Sequence, residues 1–321
     1  MTHLIIQIPA YNEAESIGAA LGALPRQVPG YSKVEWLLID DGSTDRTVEV
    51  ARAAGIDHVV SVLHNRGLAS AFMAGLEASL KLGADVIVNT DADNQYDATC
   101  IPDLLRPISD GWAVMVVGER PIATMKEFSA VKRLLQKLGS AVVRFVSATD
   151  VPDAPSGFRA IHREAALQLC VFGNYTYTLE TLIQAGRKNL PVASVPVRVN
   201  RGTRPSRLVR SIPSYLGKSL LTIFRIFVLY KPFRFFFAIG TVFLVPGVAI
   251  GIRFLRAWLA GEGDGHVQSL ILAAILVVMA FVTYAAGLLA DLSAANRQLL
   301  EEIRMRQLRA EVDTVRARRL A

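Results

Sequence analysis

The segment Val267 to Ala290, VQSLILAAILVVMAFVTYAAGLLA, contains no charged side chain, and neither does Phe235 to Ile252, FFFAIGTVFLVPGVAIGI. A helix crosses the hydrocarbon core of a bilayer with about 20 residues. In lipid every backbone polar group must be bonded within the segment, which leaves the helix as the economical form. Both segments are therefore expected to span a membrane. The competing form for each is a helix buried in a protein core, and Pro246 with its neighbouring glycines makes the first segment the weaker helix of the two. The hydrophobic fraction of 52% and mean hydropathy of +0.35 are high because of these segments.

The connection Arg253 to His266 is short and holds Glu262 and Asp264, so the two spans are expected to form a hairpin with both flanks on one side. Those flanks are basic: Arg201, Arg204, Arg207, Arg210, Lys218, Arg225, Lys231 and Arg234 precede the first span, and Arg297, Arg304, Arg306 and Arg309 follow the second. The connection itself carries fewer, Arg253 and Arg256. Basic loops stay in the cytoplasm, which places both termini there in a multi-pass protein of the cytoplasmic (inner) membrane. The start, MTHLIIQIPAYNE, shows no basic leader or cleavage site, so export is not expected.

The net charge of +7 thus serves a bilayer surface, where each juxtamembrane Lys or Arg gains about 1 kcal/mol from anionic head groups. A pI near 9.6 also suits nucleic acid, but the basic residues flank the spans and form no separate patch interleaved with aromatics. No nucleic-acid partner is expected. Cys100 and Cys170 read as free thiols in a reducing compartment.

The first 200 or so residues alternate between strand-like and helix-like runs. Strands are expected at His3–Pro9, Val34–Asp40, Val59–Leu63, Asp85–Asn89 and Ala113–Gly118. Helices are expected at Glu13–Leu24, from a Ser43 or Thr44 cap toward Ala54, at Ala69–Lys81 and at Ile101–Ile108. Such alternation specifies an α/β fold with a mostly parallel sheet. Ligands of open sheets bind beyond the carboxyl ends of the strands. Tyr11-Asn12-Glu13, Asp40-Asp41 and Asp91-Asp93 all follow strands at that edge.

Within DVIVNTDADNQ, Asp85 to Gln95, an apolar run delivers Asp91 and Asp93 to its carboxyl end. Two carboxylates plus substrate phosphates suit Mg²⁺ or Mn²⁺. Taken alone the string could equally be a solvated turn, since Asp and Asn favour turns. Phe128 to Phe145 is amphipathic, either a surface helix or one lying at the membrane interface. Leu208 to Tyr230, next to a span, favours the interface. The tail from Asp291 reads as a charged helix that could pack against a second copy in a homo-oligomer.

The ordered set IPAYNE, IDDGSTD, HNRGLASA, NTDADNQ, SGFRA and TRPSRL, followed by a hairpin of spans, resembles the family-2 inverting glycosyltransferases. Within them it is most similar to the dolichol-phosphate mannose synthase and polyprenyl-phosphate glycosyltransferase branch. The resemblance implies a GT-A (Rossmann-like) domain over residues 1–207, interfacial amphipathic helices over 208–232, a transmembrane hairpin over 233–290 (about 233–256 and 267–290) and a cytoplasmic C-terminal helix over 291–321.

It also implies roles. Pro9, Tyr11, Glu13, Asp40, Asp41 and Asp91 would bind the nucleotide. Asp91, Asp93 and Gln95 would hold Mg²⁺ or Mn²⁺, with Asp93, Arg120 and Arg133 as the catalytic set and the two arginines meeting phosphate. Ser156 and Arg159 would line the acceptor side, while Arg204, Ser206 and Arg207 would close over the diphosphate. Mannose synthases show a Gly-x-Ser-Lys string where this chain has Arg204-Pro205-Ser206-Arg207, so neither the sugar nor the choice of UDP or GDP follows.

The implied reaction is inverting transfer of a hexose from a nucleotide-diphosphate sugar to polyprenyl phosphate at the bilayer. An already anionic acceptor needs little general base, consistent with His64 and His162 reading as structural. The rivals are an enzyme of the same fold acting on another membrane acceptor, and a catalytically silent scaffold that only binds nucleotide sugars.

Overall fold

The computed structural model describes residues 2–121, 140–141, 144, 147, 149–171, 177–200, 232–261 and 267–320. Seven strands form one sheet: β1 His3–Ala10, β2 Lys33–Asp40, β3 His58–Ser61, β4 Val86–Asn89, β5 Met115–Glu119, β6 Arg159–His162 and β7 Val192–Pro196. Their order across the sheet is β3-β2-β1-β4-β6-β5-β7. The helices are α1 Ile17–Ala23, α2 Thr47–Ala53, α3 Leu68–Lys81, α4 Ile101–Ser109, α5 Arg163–Gln168, α6 Tyr177–Arg187, α7 Pro232–Leu259 and α8 Val267–Leu320. The alternation expected of the sequence is present, with boundaries shifted by a few residues. α1 starts later than Glu13 and α2 later than its expected Ser43 or Thr44 cap, because Glu13 and Asp45 are engaged in loop contacts.

β1 to β4 run parallel, so the helices between them cover the faces and the strands are buried on both sides. Leu4, Ile5, Ile6 and Ile8 of β1 have almost no exposed surface, and neither do Leu37, Leu38 and Ile39 of β2. β6 is antiparallel to both β4 and β5, the one reversal in an otherwise parallel sheet.

The chain winds outward from β1 through β2 to β3, then returns to place β4 on the other side of β1. The carboxyl ends of β1 and β4 thereby flank the point where the winding changes direction, where doubly wound sheets bind ligands. Register puts Ala10 beside Asp40, Gln7 beside Asn89, Asn89 beside Arg159 and Arg159 beside Val117. The loops after β1, β2, β4 and β5, and the loop entering β6, therefore meet at one edge.

By compactness the chain forms two units, Met1–Leu216 with Glu301–Ala321, and Gly217–Leu300. In the second unit Gly240 lies against Tyr284 while Gly247 lies against Leu276 and Val277, so α7 and α8 pack antiparallel. The Thr241 and Tyr284 hydroxyls lie 3.1 Å apart. Both helices are long and apolar enough to cross a membrane, and only 11% and 17% of their apolar windows are buried. A soluble core helix would hide its apolar side chains, whereas Val242, Val245, Phe281 and Val282 are exposed here.

α8 continues without a break through the charged tail, and its last part belongs to the first unit. There Leu308 and Val312 are buried, and ion pairs join Glu301 to Lys188 (3.5 Å), Arg304 to Glu77 (3.7 Å), Glu311 to Lys81 (3.2 Å) and Asp313 to Arg163 (3.6 Å). Arg309 also pairs with Glu164. Within the tail Leu308 and Val312 are thus covered by their own chain, while Leu292, Leu299, Leu300 and Ile303 are exposed. The amphipathic stretches at 128–145 (apart from 140–141 and 144) and 208–230 lie outside the described residues.

Candidate active site

The loops after β1 and β2 are locked together at the rim. Asn12 takes a positive φ of 54°, a conformation Asn tolerates, which presents its amide to the second loop. Its backbone N–H donates to Ser43 Oγ (3.0 Å), and its side-chain oxygen accepts from Thr44 N–H (2.8 Å). Glu13 N–H donates to Thr47 Oγ1 (2.8 Å), and Ala14 N–H donates to Asp45 (3.2 Å). Gly42 has φ +74°, and a Cβ there would come within 2.8 Å of the His64 backbone, so only glycine fits where this loop meets the one after β3.

The two acids at the end of β2 have separate tasks. Asp40 is buried and accepts from Ser43 N–H (2.9 Å). Asp41, also buried, accepts from Arg66 N–H (2.9 Å) and Gly67 N–H (2.8 Å), fixing the entrance to α3. Pro9 lies buried within β1, and Tyr11 projects from the rim, 40% exposed.

Beyond β4 the acid-x-acid pair takes up contrasting positions. Asp93 is exposed, and one of its oxygens accepts from Gln95 N–H (3.0 Å), forming a tight Asx turn helped by Asn94 at φ 56°. The turn is pinned by Asn200, whose N–H donates to Gln95 O (2.8 Å) and whose amide donates to Asn94 O (2.9 Å). Asp91 sits deeper. Burial pushes its carboxyl up to about 7; the negative charges of Asp93 and Glu13 add to the rise, and Arg120 opposes it. Three carboxylates and one guanidinium therefore share this part of the edge. Among the described residues no hydrogen bond reaches the Asp91 carboxylate, and no group of three or more His, Cys, Asp or Glu forms a metal cluster.

Arg120 follows β5 and is held by Asp153, Nε to Oδ2 at 2.7 Å and Nη2 to Oδ1 at 3.0 Å, a two-pronged contact of the kind guanidinium geometry favours. Its backbone N–H donates to the same carboxylate (3.2 Å). Asp153 is 1% exposed and Arg120 13%, so the pair is nearly dry. That partner raises the Arg120 pKa and keeps it charged against the cost of burial. Asp153 stands 33 residues away in sequence, and no spacing rule announces it.

Arg159 departs from its expected acceptor-side role. It has no exposed surface, and its guanidinium donates to Ser156 O (2.8 Å), Ala154 O (2.8 Å) and Thr181 Oγ1 (2.6 Å). Burial lowers its pKa to about 10, still leaving it charged at neutral pH. Two of these contacts tie the loop before β6 together and the third joins it to α6, so Arg159 serves as a scaffold residue. Ser156 is buried as well.

Glu180 is buried in α6 and not open to a ligand. His162 accepts from Glu164 N–H (3.3 Å) at the start of α5, whereas His64 lies in an exposed loop, not a strand. Arg133, Arg204, Ser206 and Arg207 lie outside the described residues.

Sequence reading passed over Asn89, Tyr96 and Tyr177, which lie beneath Asp91 with Gly157, a residue the resemblance had placed in the acceptor-side loop. Asn89 carried a legible signal, a polar residue ending an apolar strand. The others did not.

Residues 5–169 match the model of a family described as glycosyl transferase family 2. An undecaprenyl-phosphate mannosyltransferase of Micrococcus luteus is 29% identical over 68% of this chain and 91% of its own length. An undecaprenyl-phosphate 4-deoxy-4-formamido-L-arabinose transferase of Pectobacterium carotovorum is 29% identical over 80% of this chain and 79% of its own. Among solved structures, glucosyl-3-phosphoglycerate synthase of Mycobacterium tuberculosis, crystallised with Mn²⁺, UDP-glucose and phosphoglyceric acid, superposes with a TM-score of 0.54. It is 21% identical and covers 71% of this chain and 79% of its own, a likeness of GT-A fold. With half of its length matched to one family model, the chain belongs to glycosyl transferase family 2.

Proposed function

We propose that this chain transfers a hexose, with inversion, from a nucleotide-diphosphate sugar to a polyprenyl phosphate at the cytoplasmic face of the membrane. The observation that carries the reading is the site itself. Asp91 and Asp93 stand at the carboxyl edge of β4, across the change of winding from Glu13, with Arg120 beside them. Both curated relatives are named for undecaprenyl phosphate and differ in their sugar, which supports the acceptor and leaves the sugar open.

The donor set fits a hard divalent cation, Mg²⁺ or Mn²⁺. Two acids press on one another with no donor assigned to Asp91, and all offered atoms are oxygens. Such an ion, when bound, neutralises charge developing on the departing nucleoside diphosphate. Asp91 and Asp93 would hold it, and the Asx turn keeps Asp93 facing outward. Arg120, fixed by Asp153, adds a second positive charge at a set position, so no reorganisation is needed as the leaving group departs. The rim loops of Tyr11–Ala14 and Asp40–Thr47 are rigid enough to orient the nucleoside.

The acceptor's phosphate oxygen attacks the anomeric carbon as the glycosidic oxygen leaves with the nucleotide. A phosphate monoester is already anionic near pH 7, its second pKa being about 6, so no side chain must remove a proton. α7 and α8 would span the bilayer and hold the site at the head-group level, raising the effective concentration of a lipid-bound acceptor. Arg204, Ser206 and Arg207 are proposed to cover the diphosphate, and Arg133 to meet phosphate.

The test is direct. Purified full-length protein in nanodiscs, given undecaprenyl phosphate and labelled UDP-glucose, UDP-N-acetylglucosamine or GDP-mannose, should move label into the organic phase with one of them. Chelator should stop it and Mn²⁺ or Mg²⁺ restore it. Label remaining in water with every donor would reject the reading.

A further inference from the structure

Beneath the acidic pair lies a buried polar chain in a sheet that is otherwise apolar. Gln7 of β1 donates its amide to Asn89 Oδ1 (2.9 Å). Asn89 in turn donates to Gly157 O (2.8 Å) and to the Tyr177 hydroxyl (3.0 Å). Gly157 is gripped from its other side as well, its N–H donating to the Tyr96 hydroxyl (3.1 Å). The two tyrosines are themselves braced, Tyr177 stacked on Phe72 at 3.9 Å and Tyr96 on Phe158 at 5.0 Å. Gln7 and Asn89 have no exposed surface. Buried amides cost free energy unless paired, and here Gln7, Asn89, the Gly157 carbonyl and the Tyr177 hydroxyl satisfy one another.

What this chain holds is the bare Cα of Gly157. A Cβ added there would lie 3.2 Å and 3.4 Å from the two carboxylate oxygens of Asp91, and 2.8 Å from the Tyr177 hydroxyl. The φ of Gly157 is not in the left-handed region, so backbone freedom does not explain the glycine; space does. Asp91 has no hydrogen-bond donor among the described residues, and the space beside its two oxygens is kept open by the absence of a side chain at Gly157.

We propose that Gly157 is a positioning residue for the metal-holding carboxylate of Asp91, clamped in place by Asn89 and Tyr96, and that it does not face the acceptor. This deepens, and rests on, the reading of Asp91 and Asp93 as cation ligands. Outer partners of metal ligands commonly change affinity by about tenfold or more when altered.

The experiment titrates full-length protein in nanodiscs with Mn²⁺, alone and with UDP or GDP, following free Mn²⁺ by electron paramagnetic resonance and folding by circular dichroism. Gly157→Ala should weaken Mn²⁺ binding about tenfold while the fold is kept. Adding Tyr177→Phe should recover much of that loss, because removing the hydroxyl gives the new methyl room to move off the carboxylate. Asn89→Ala, which frees the Gly157 carbonyl, should also weaken Mn²⁺ binding and serves where Gly157→Ala does not fold. Unchanged Mn²⁺ affinity in folded Gly157→Ala, or in Asn89→Ala if the former does not fold, would overturn the positioning role. Wild-type protein that binds no Mn²⁺ under any of these conditions would instead remove the metal reading beneath it.

Discussion

The Asp91 carboxyl titrates near 7 because burial disfavours its charge and Asp93 and Glu13 repel it, an effect Arg120 only partly offsets. Its pKa in the folded chain lies above the ordinary 3.8, so between those values the folded state holds more protons than the unfolded one. Stability then falls as pH rises through that window, opposite to the usual behaviour of a paired carboxylate. Metal-free protein should melt lower at pH 8 than at pH 5, Asp91→Asn should flatten part of that slope, and Mn²⁺ should raise the melting temperature most at the higher pH. An identical slope in Asp91→Asn would contradict the assignment. Asp153 belongs to the same scale: Asp153→Ala strands a buried guanidinium and should cost about 3–5 kcal/mol in urea unfolding. The acids of the site were legible in sequence because they are local, three strings each following a strand. Asp153 and Arg159 were not, since what defines them is their partners in the folded chain, and a basic residue in SGFRA looks the same whether it meets solvent or two carbonyls and a buried hydroxyl.

Helices and strands were legible where apolar periodicity and chain length agreed, as in β1, α3 and β4. The reversal of β6 was not, because an antiparallel strand buried on both faces carries the same apolar run as a parallel one. The charged tail was legible only in part. Its irregular apolar spacing reads poorly as a coiled coil, yet within the first unit Leu308 and Val312 are buried and five ion pairs flank them. Exposed pairs of this kind contribute about 0–1 kcal/mol each, whereas burying a Leu contributes about 1.5–3 kcal/mol. Leu308→Ala should therefore lower stability by about 2–3 kcal/mol and Arg309→Ala by less than about 1 kcal/mol, measured by thermal or urea unfolding in detergent. A larger loss from Arg309→Ala would mean that charge, not packing, holds the tail.

At the level of the whole chain, one family-2 domain is joined to two helices long and apolar enough to cross a membrane, and the proposal gives that union a reason: a water-soluble donor and a lipid-bound acceptor must meet at one sheet edge. The two long apolar helices and the alternating fold were both readable at the outset, since charge-free length and βα alternation survive any detail of packing. The sugar was not, because the string Arg204-Pro205-Ser206-Arg207 departs from the Gly-x-Ser-Lys string of mannose synthases. The most direct test compares wild type and Asp93→Ala, matched for folding by circular dichroism, in Mn²⁺-supported transfer of label from the working nucleotide sugar to undecaprenyl phosphate. Losing half of the carboxylate pair should lower turnover by about 10²-fold or more, in line with the loss of a charge-stabilising group at a reacting centre. Turnover within about twofold of wild type would contradict the account.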